Sequence, residues 1–125
     1  MSTIFTKIIN GEVPCYKIYE NDLVFAFLDN FPKADGHTLI VPKIEVNYWV
    51  DVPEPYYSAV FVAAKIIAPA LQQATQTSRI ITKIMGTDVP HFHYHLIPFY
   101  TPKPVIVEKE DTNLLDLQTR ILQYL

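Results

Sequence analysis

Three of the four histidines in this chain of 125 residues stand at alternate positions of one short segment. The segment, residues 90–98, reads PHFHYHLIP, so every residue between the histidines is aromatic or aliphatic. Side chains alternate between the two faces of a β-strand, so the histidines would share one face while the residues between them enter a core. The flanking prolines favour a strand of seven residues between turns. The three residues of this row are His91, His93 and His95.

Three interpretations of this histidine row stay open from the residues alone. If the rings were only structural, three imidazoles side by side would suffer desolvation and, when charged, mutual repulsion. Two histidines at i and i+2 on a strand can bind one zinc ion, and His37 is the candidate for a further nitrogen ligand. An imidazole can instead attack phosphorus and form a covalent phosphoramidate, while its neighbours orient it and protonate the leaving group.

Composition limits the class of protein and the class of partner. Half of the residues are hydrophobic and 18% are charged, which is typical of a single globular domain with its own core. A net charge of −3 without a basic block argues against a nucleic-acid partner, and no apolar run is long enough to span a membrane. Cys15 is the only cysteine, and the first residues lack a signal-peptide pattern, so we expect a cytoplasmic protein without disulfides.

Predicted strands and helices are segregated along the chain, which favours an α+β fold with an antiparallel sheet. Pro69 lies inside the long predicted helix and predicts a kink or a break, because a proline there removes one hydrogen bond and costs about 3 kcal/mol. A last helix has an apolar stripe that could pack on its own domain or serve a dimer. That stripe consists of Leu114, Leu117, Ile121 and Leu125. The predicted elements are a helix from Ser2 or Thr3 to Gly11, a hairpin over 16–28, a strand over 37–41, a helix over 54–76, a strand over 79–85 and the last helix from Thr112 or Asn113.

Several motifs in the same order resemble those of the histidine triad (HIT) family. Residues 91–97 have the family's form H-φ-H-φ-H-φ-φ, where φ is an apolar residue. Residues 4–14 look like its usual opening, and residues 25–29 and 36–43 are similar to its next signature. The resemblance covers roughly residues 3–99, and several motifs at suitable spacing make it specific.

The resemblance implies a HIT-like fold of the α+β class, in which a meandering antiparallel sheet carries one long helix and short flanking helices. It implies one domain over residues 1–110 and a C-terminal helix over residues 111–125, packed on the domain or on a dimer. It also implies a homodimer without a cofactor that acts on the α-phosphate of a purine nucleotide ester, anhydride or amidate. Turnover would pass through a covalent nucleotidyl-histidine intermediate.

The resemblance assigns roles by position. His93 would be the nucleophile that carries the nucleotidyl group, and His95 would hydrogen-bond the phosphate or the leaving group. His91 would support the row, His37 would stand behind the catalytic ring, and Asp29 would bind the ribose hydroxyls. Taken singly, the apolar candidates for the base pocket are more typical of a core. The other nucleotide-binding candidates are Ile4, Phe5, Phe27, Asn30, Gly86 and Val89.

One departure from the family pattern concerns metal. Many relatives have two cysteines and a histidine where this chain has Thr3, Thr6 and Glu45, and they bind a structural zinc there together with the first triad histidine. Two hydroxyls and a carboxylate do not replace two thiolates and an imidazole as zinc ligands. We therefore expect no structural metal.

A second departure lies just before the triad, where residues 83–89 replace a longer Asn- and Gly-rich loop that contacts phosphates in many members. Asp88, a further catalytic candidate, stands where relatives often have serine, threonine or glutamate near the leaving group. A carboxylate repels a polyphosphate, so Asp88 could favour an amine leaving group or assist water in the second step. A dinucleoside polyphosphate and a nucleoside phosphoramidate both fit as substrates. The alternatives are a catalytically weak nucleotide-binding or regulatory module and a metal site on the histidine row.

Overall fold

The computed structural model describes residues 2–100 and 113–125. These residues form one antiparallel sheet of five strands and three α-helices, joined by turns and loops. The strands lie in the spatial order β1-β2-β3-β5-β4, and every neighbouring pair is antiparallel. The predicted α+β class is confirmed. The strands are β1 (Lys17–Glu20), β2 (Val24–Leu28), β3 (Thr38–Pro42), β4 (Arg79–Ile84) and β5 (Tyr94–Phe99), and the helices are α1 (Ile4–Ile9), α2 (Tyr56–Thr75) and α3 (Leu114–Leu122).

Local polar side chains set the ends of α1 and of the first hairpin, both of which the sequence predicts. Thr3 caps α1, because its hydroxyl accepts a hydrogen bond from the Thr6 amide (3.2 Å). Asn21 closes the turn between β1 and β2, where its side-chain oxygen accepts from the amides of Leu23 (2.8 Å) and Val24 (3.0 Å).

The sheet separates two apolar clusters, and this separation positions the histidines. On one face α2 packs over the residues between the histidines, and Phe92 and Leu96 are buried there. On the other face α1 packs Phe5 against aromatic and aliphatic side chains of β2 and β3. The histidines belong to this second face, because Leu39 of its cluster pairs with His95 in register.

The long helix α2 continues through Pro69, so of the predicted kink or break the break is wrong, while the kink stays a prediction. Proline removes the hydrogen bond to the carbonyl of Lys65, and both residues lie on the exposed side of α2, where water can solvate that carbonyl. Residues Ile67, Ala70 and Leu71 are buried on the inner side and stabilise the helix on both sides of the proline.

The triad segment enters the sheet later than the alternation predicts. β5 begins at Tyr94, so His91 and His93 lie in the irregular segment before the strand. The Phe92 amide there donates to the carbonyl of Val46, in the segment after β3 (2.6 Å). β5 also extends two residues past its predicted end and so includes a proline. A proline is tolerated there because β3 pairs only with the first three residues of β5, so one side of the strand has no neighbouring strand among the described residues at that position.

The last helix, α3, packs on its own chain. Asn113 caps its start, as predicted, and Leu117 and Ile121 are buried where the helix meets α2 and β1. A side-chain amide of α3 donates to the Lys17 carbonyl of β1 (2.8 Å). Leu125, predicted to continue the apolar stripe, lies past the end of the helix and is 42% exposed.

Two predictions about the whole molecule are not decided by this arrangement. The predicted boundary between residues 110 and 111 lies outside the described residues, and the homodimer stays a prediction. Within residues 2–100 and 113–125, the structure contains no helix with the length and apolar character that crossing a membrane requires.

Candidate active site

All four histidines meet on the face of the sheet that α1 covers. His37, His91, His93 and His95 are all buried, with at most 7% of each residue exposed. The ring centroids of His93 and His95 lie 4.9 Å apart, and those of His37 and His95 lie 5.1 Å apart. The tertiary structure therefore joins the predicted fourth histidine to the row.

A backbone carbonyl determines which nitrogen of His93 carries the proton. Nδ1 lies 2.7 Å from the carbonyl oxygen of His91, and because a carbonyl can only accept, Nδ1 is the protonated nitrogen. In the neutral ring Nε2 is then unprotonated and keeps its lone pair. An imidazole nucleophile requires this state.

A relay of two hydrogen bonds, which we call the His37–His95 relay, runs in one direction. The Lys33 amide donates to Nδ1 of His37 (3.0 Å), so Nε2 of His37 carries the proton and donates to Nδ1 of His95 (2.9 Å). It follows that Nε2 of His95 carries a proton as well. That atom is buried and has no hydrogen-bond partner among the described residues. It is a donor available to an oxygen of a bound ligand.

Burial makes both rings of the relay weak bases. Desolvation is the main cause at His37 and lowers its pKa to about 4, although the nearby Asp29 carboxylate acts in the opposite direction. Desolvation also lowers the pKa of His95 to about 4, and positive charge on His93 and Lys83 adds to the effect. Both rings are therefore neutral near pH 7, as their hydrogen bonds require.

We expect the free energy of unfolding to fall as the pH is lowered from 7 to 5. A histidine of the unfolded chain has a pKa near 6.5, whereas these two have a folded pKa of about 4. Between these values the unfolded state binds more protons, so stability increases with pH there. The expected loss is about 2 kcal/mol for each ring. Urea unfolding at the two pH values measures it.

The matched control for this pH dependence is His95→Gln, which cannot titrate. The variant should lose about 2 kcal/mol less stability than the wild type over the same range, and this difference is the quantity to compare. His91, whose pKa burial also lowers, is present in both proteins and cancels. An identical loss in the variant and the wild type would show that the relay does not titrate as described.

The residues at the zinc-ligand positions of relatives form a hydrogen-bond network of their own. Nε2 of His91 donates to the Pro42 carbonyl and Nδ1 accepts from the Thr3 hydroxyl, both at 2.9 Å. Glu45 accepts from the Thr3 amide (2.5 Å) and from the Thr6 hydroxyl (2.9 Å). The Thr3 amide is the main cause that lowers the pKa of Glu45. This network ties α1 to the segment after β3 and holds His91 in one orientation.

The same hydrogen bonds bear on the metal interpretation of the histidine row. Both nitrogens of His91 already have partners, so one ion could bind all three rings of the row only if this network broke. A different group, Asp29, His37 and His95, has ligand atoms within 4.8 Å of one another. Its two imidazoles are joined by the relay hydrogen bond, which accounts for their proximity without a metal.

Asp88 faces His93. Its Oδ1 lies 3.5 Å from Nε2 of His93, while 66% of its side chain is exposed. Burial raises the pKa of Asp88, but backbone amides, including that of Val89, and the charge of His93 together lower it further than burial raises it. The ionised carboxylate therefore lies beside the atom of His93 that a phosphate must approach.

The structure brings part of the predicted base pocket together. Phe5 packs against Phe27, with centroids 5.7 Å apart, and against His93, with centroids 4.8 Å apart. Both phenylalanines are buried, so they form an apolar wall beside His93. Ile4 is 43% exposed at the start of α1, and Asn30 is exposed in the loop after β2.

Asp29 has one oxygen in a turn and one near the relay. Oδ1 accepts from the Phe31 amide (2.9 Å), and Oδ2 lies 3.7 Å from Nε2 of His37. The turn interpretation and the site interpretation of this residue are thus compatible. Val89 packs at the edge of the apolar cluster under α1, and Gly86 has a φ of 95°, which favours glycine.

Two contributors to the site were missed by the sequence analysis. The Lys33 amide orients the relay. Lys83 on β4 lies directly opposite His95 on the neighbouring strand β5. A backbone amide leaves no signal in a side-chain pattern. The position of Lys83 depends on the pairing of β4 with β5, which local periodicity does not specify.

Comparison with known proteins finds one family. A family model described as "HIT domain" matches residues 10–101. The chain is 38% identical over 96 residues to the adenosine 5'-monophosphoramidase HNT1 of Saccharomyces cerevisiae, with 76% of this chain and 61% of that protein covered. It is 33% identical over 100 residues to the adenylylsulfatase HINT3 of Arabidopsis thaliana, with 76% and 51% covered. A HIT-like protein of Mycoplasma pneumoniae is 38% identical over 102 residues, with 78% and 71% covered.

Solved structures have the same fold. A Hit-like protein of Bartonella henselae superposes with a TM-score of 0.88 at 32% identity, covering 99% of this chain and 97% of that one. A histidine triad nucleotide-binding protein of Sulfolobus tokodaii gives 0.85 at 26% identity, with 96% and 89% covered. A zinc-bound histidine triad protein of Mycobacterium smegmatis gives 0.88 at 23% identity, with 99% and 93% covered, which shows the shared fold alone.

Proposed function

This chain belongs to the HIT family, and we propose that it is a hydrolase that cleaves purine nucleotides at the α-phosphate through a covalent intermediate on His93. One observation carries the proposal. The His93 ring, whose Nε2 is unprotonated, lies 4.9 Å from the His95 ring, whose buried donor Nε2 has no hydrogen-bond partner among the described residues. A phosphate needs both groups, since one attacks phosphorus and the other binds an oxygen whose charge increases in the transition state.

In the first step Nε2 of His93 forms a bond to the α-phosphorus, and the bond to the leaving group breaks with its electron pair. Before attack Nε2 of His93 is unprotonated, so its lone pair is already free. An amine leaving group receives a proton from solvent through the exposed Asp88 carboxylate. The His91 carbonyl stabilises the positive ring that results, because Nδ1 of His93 continues to donate to it.

In the second step water attacks the phosphorus of the intermediate, and the bond to Nε2 of His93 breaks. The ring leaves as a neutral imidazole, which is a good leaving group because Nδ1 stays protonated. Asp88 accepts the proton of the attacking water and releases it to solvent, which restores the ionised carboxylate. His95 donates a hydrogen bond in both steps without losing its proton, since its Nδ1 is held by His37.

The nearby aromatic rings and Asp29 support a nucleoside as the other half of the substrate. Phe5 and Phe27 present apolar surface of the kind that a purine buries. Asp29 Oδ2 accepts no hydrogen bond within normal distance from the described residues, and a ribose hydroxyl could donate to it. The names of the yeast and plant relatives, a monophosphoramidase and an adenylylsulfatase, agree with cleavage beside a nucleoside phosphate.

The test is turnover of adenosine 5'-phosphoramidate and of a diadenosine polyphosphate, with and without a strong chelator. Activity that survives the chelator, together with a mass increase of one nucleotide on His93, is the expected result. Binding of adenosine monophosphate without turnover of either compound would favour the nucleotide-binding module instead. Activity that the chelator abolishes would favour a metal site.

The variant Asp88→Ser should change the choice of leaving group. We expect turnover of the phosphoramidate to fall about 10²-fold, because the amine loses its proton donor. The kcat/KM on the polyphosphate, which reports the first step and not the attack of water, should stay the same or rise, because a negative charge is removed beside the substrate. The measurement is kcat/KM on both substrates. The control is Asp22→Ser, a carboxylate exposed in the turn between β1 and β2. Equal effects of Asp88→Ser on both substrates would refute a role in leaving-group choice.

A further inference from the structure

Lys83 is a cation beside the site that the mechanism above does not use. It lies on the edge strand β4 and is the direct partner of His95 on β5. Directly paired side chains leave the sheet on the same face, with Cβ atoms about 5 Å apart. The face that holds His95 therefore also holds Lys83, which is only partly exposed.

The charges around Lys83 leave it available to an anion. In residues 2–100 and 113–125 no carboxylate lies within 4.0 Å of its ammonium group. Its positive charge contributes to the low pKa of both His37 and His95, which supports a position close to the relay. Asp88, the carboxylate near His93, would repel an anionic leaving group, and a cation near His95 offsets this repulsion.

The order of the strands shows which end of a substrate Lys83 would meet. Phe27 lies on β2 and Asp29 follows it, whereas His95 lies on β5 and Lys83 on the strand beyond. A nucleotide with its base near Phe27 and its α-phosphate at the histidines extends its remaining groups toward β4. The lysine is therefore on the side of the leaving group.

We propose that Lys83 binds an anionic leaving group, such as the distal phosphates of a nucleoside polyphosphate, across the strand from His95. This inference rests on the proposed function and names its substrate class. The leaving oxygen departs with the electron pair of the bond to the α-phosphorus, and the ammonium group stabilises the negative charge without giving up its proton. Lys83 thus stabilises an oxyanion as it departs, whereas an amine needs the proton that reaches it through Asp88.

The test compares Lys83→Gln and Lys83→Arg on a diadenosine polyphosphate and on adenosine 5'-phosphoramidate. For Lys83→Gln we expect kcat/KM to fall about 10- to 100-fold on the polyphosphate and less than about 3-fold on the phosphoramidate, the range of a lost charge-assisted hydrogen bond. Lys83→Arg keeps the charge and should retain most activity on both. Lys65→Gln, exposed on α2 across the sheet, should leave both activities unchanged. Equal losses on both substrates in Lys83→Gln would overturn the proposal.

A binding experiment separates failure of this inference from failure of the proposed function. We expect Lys83→Gln to weaken binding of adenosine diphosphate about 10-fold and to leave binding of adenosine monophosphate unchanged. This readout does not depend on turnover, so it decides the role of Lys83 even if the wild type hydrolyses neither substrate. Equal affinities of Lys83→Gln and wild type for the diphosphate would overturn the role of Lys83.

Discussion

Replacement of His93 by alanine should lower turnover of the preferred substrate by at least about 10³-fold. The reason is that no other imidazole can act in its place. Nε2 of His91 donates to a carbonyl, and Nε2 of His95 carries the proton that the His37–His95 relay places there. Only His93 presents a lone pair toward the site. Steady-state kinetics on the phosphoramidate and on the polyphosphate measure the loss.

A second variant keeps this prediction independent of folding. His93 is 1% exposed and packs against Phe5, so alanine leaves a cavity. In His93→Asn the side-chain amide can still donate to the His91 carbonyl but cannot form the nucleotidyl intermediate. Both variants should lose activity and the nucleotide adduct seen by mass spectrometry, and His93→Asn should unfold close to the wild-type urea midpoint. Near wild-type turnover in either folded variant would reject His93 as the nucleophile.

The second large effect concerns the relay, in which His37 should act only through His95. His95→Ala should lower kcat/KM about 10²- to 10³-fold, the loss typical of removing one donor to a developing charge. His37→Ala should cause a loss of similar order, because His95 then has no partner that holds the proton on Nε2. The double variant should be no worse than His95→Ala. The measurement is a double-mutant cycle of kcat/KM on one substrate.

Non-additivity is the outcome that distinguishes this role from simple packing. If the two single losses multiply in the double variant, His37 acts by a route of its own and the relay assignment is wrong. The variant His37→Asn offers a matched control, since its amide can donate to His95 where alanine cannot. We expect His37→Asn to recover part of the activity. The urea midpoints of the wild type and of the four variants show whether each comparison is between folded states.

Much of the fold follows from local patterns, and the errors have identifiable physical causes. The capped helix at Thr3 and the hairpin turn at Asn21 depend on hydrogen bonds within a few residues, which sequence patterns report well. The break predicted at Pro69 is wrong because burial of neighbouring residues outweighs one lost hydrogen bond on the exposed side of α2. The predicted start of β5 is too early, because the Phe92 amide donates its hydrogen bond to the carbonyl of Val46, a residue distant in the chain.

The spacing of residues also specified much of the candidate site. Alternation with apolar residues predicted that the histidines share one face, and the matching motifs predicted that His37 and Phe5 join them. Both predictions depend only on residue type and order, and the sequence contains this information in full. The side chains do meet on the face under α1. Their catalytic and binding roles stay predictions for the experiments above.

Proton positions and charges around the row depend instead on groups that strand pairing brings from elsewhere in the chain. The Pro42 carbonyl orients His91, the Lys33 amide orients the relay, and Lys83 reaches His95 from a neighbouring strand. A hydrogen bond has a direction that depends on its partner, and these partners are not neighbours along the chain. Residue types and their order therefore identified the four imidazoles and their family. Three-dimensional packing decided which imidazole presents a lone pair, which presents a proton, and which cation lies beside them.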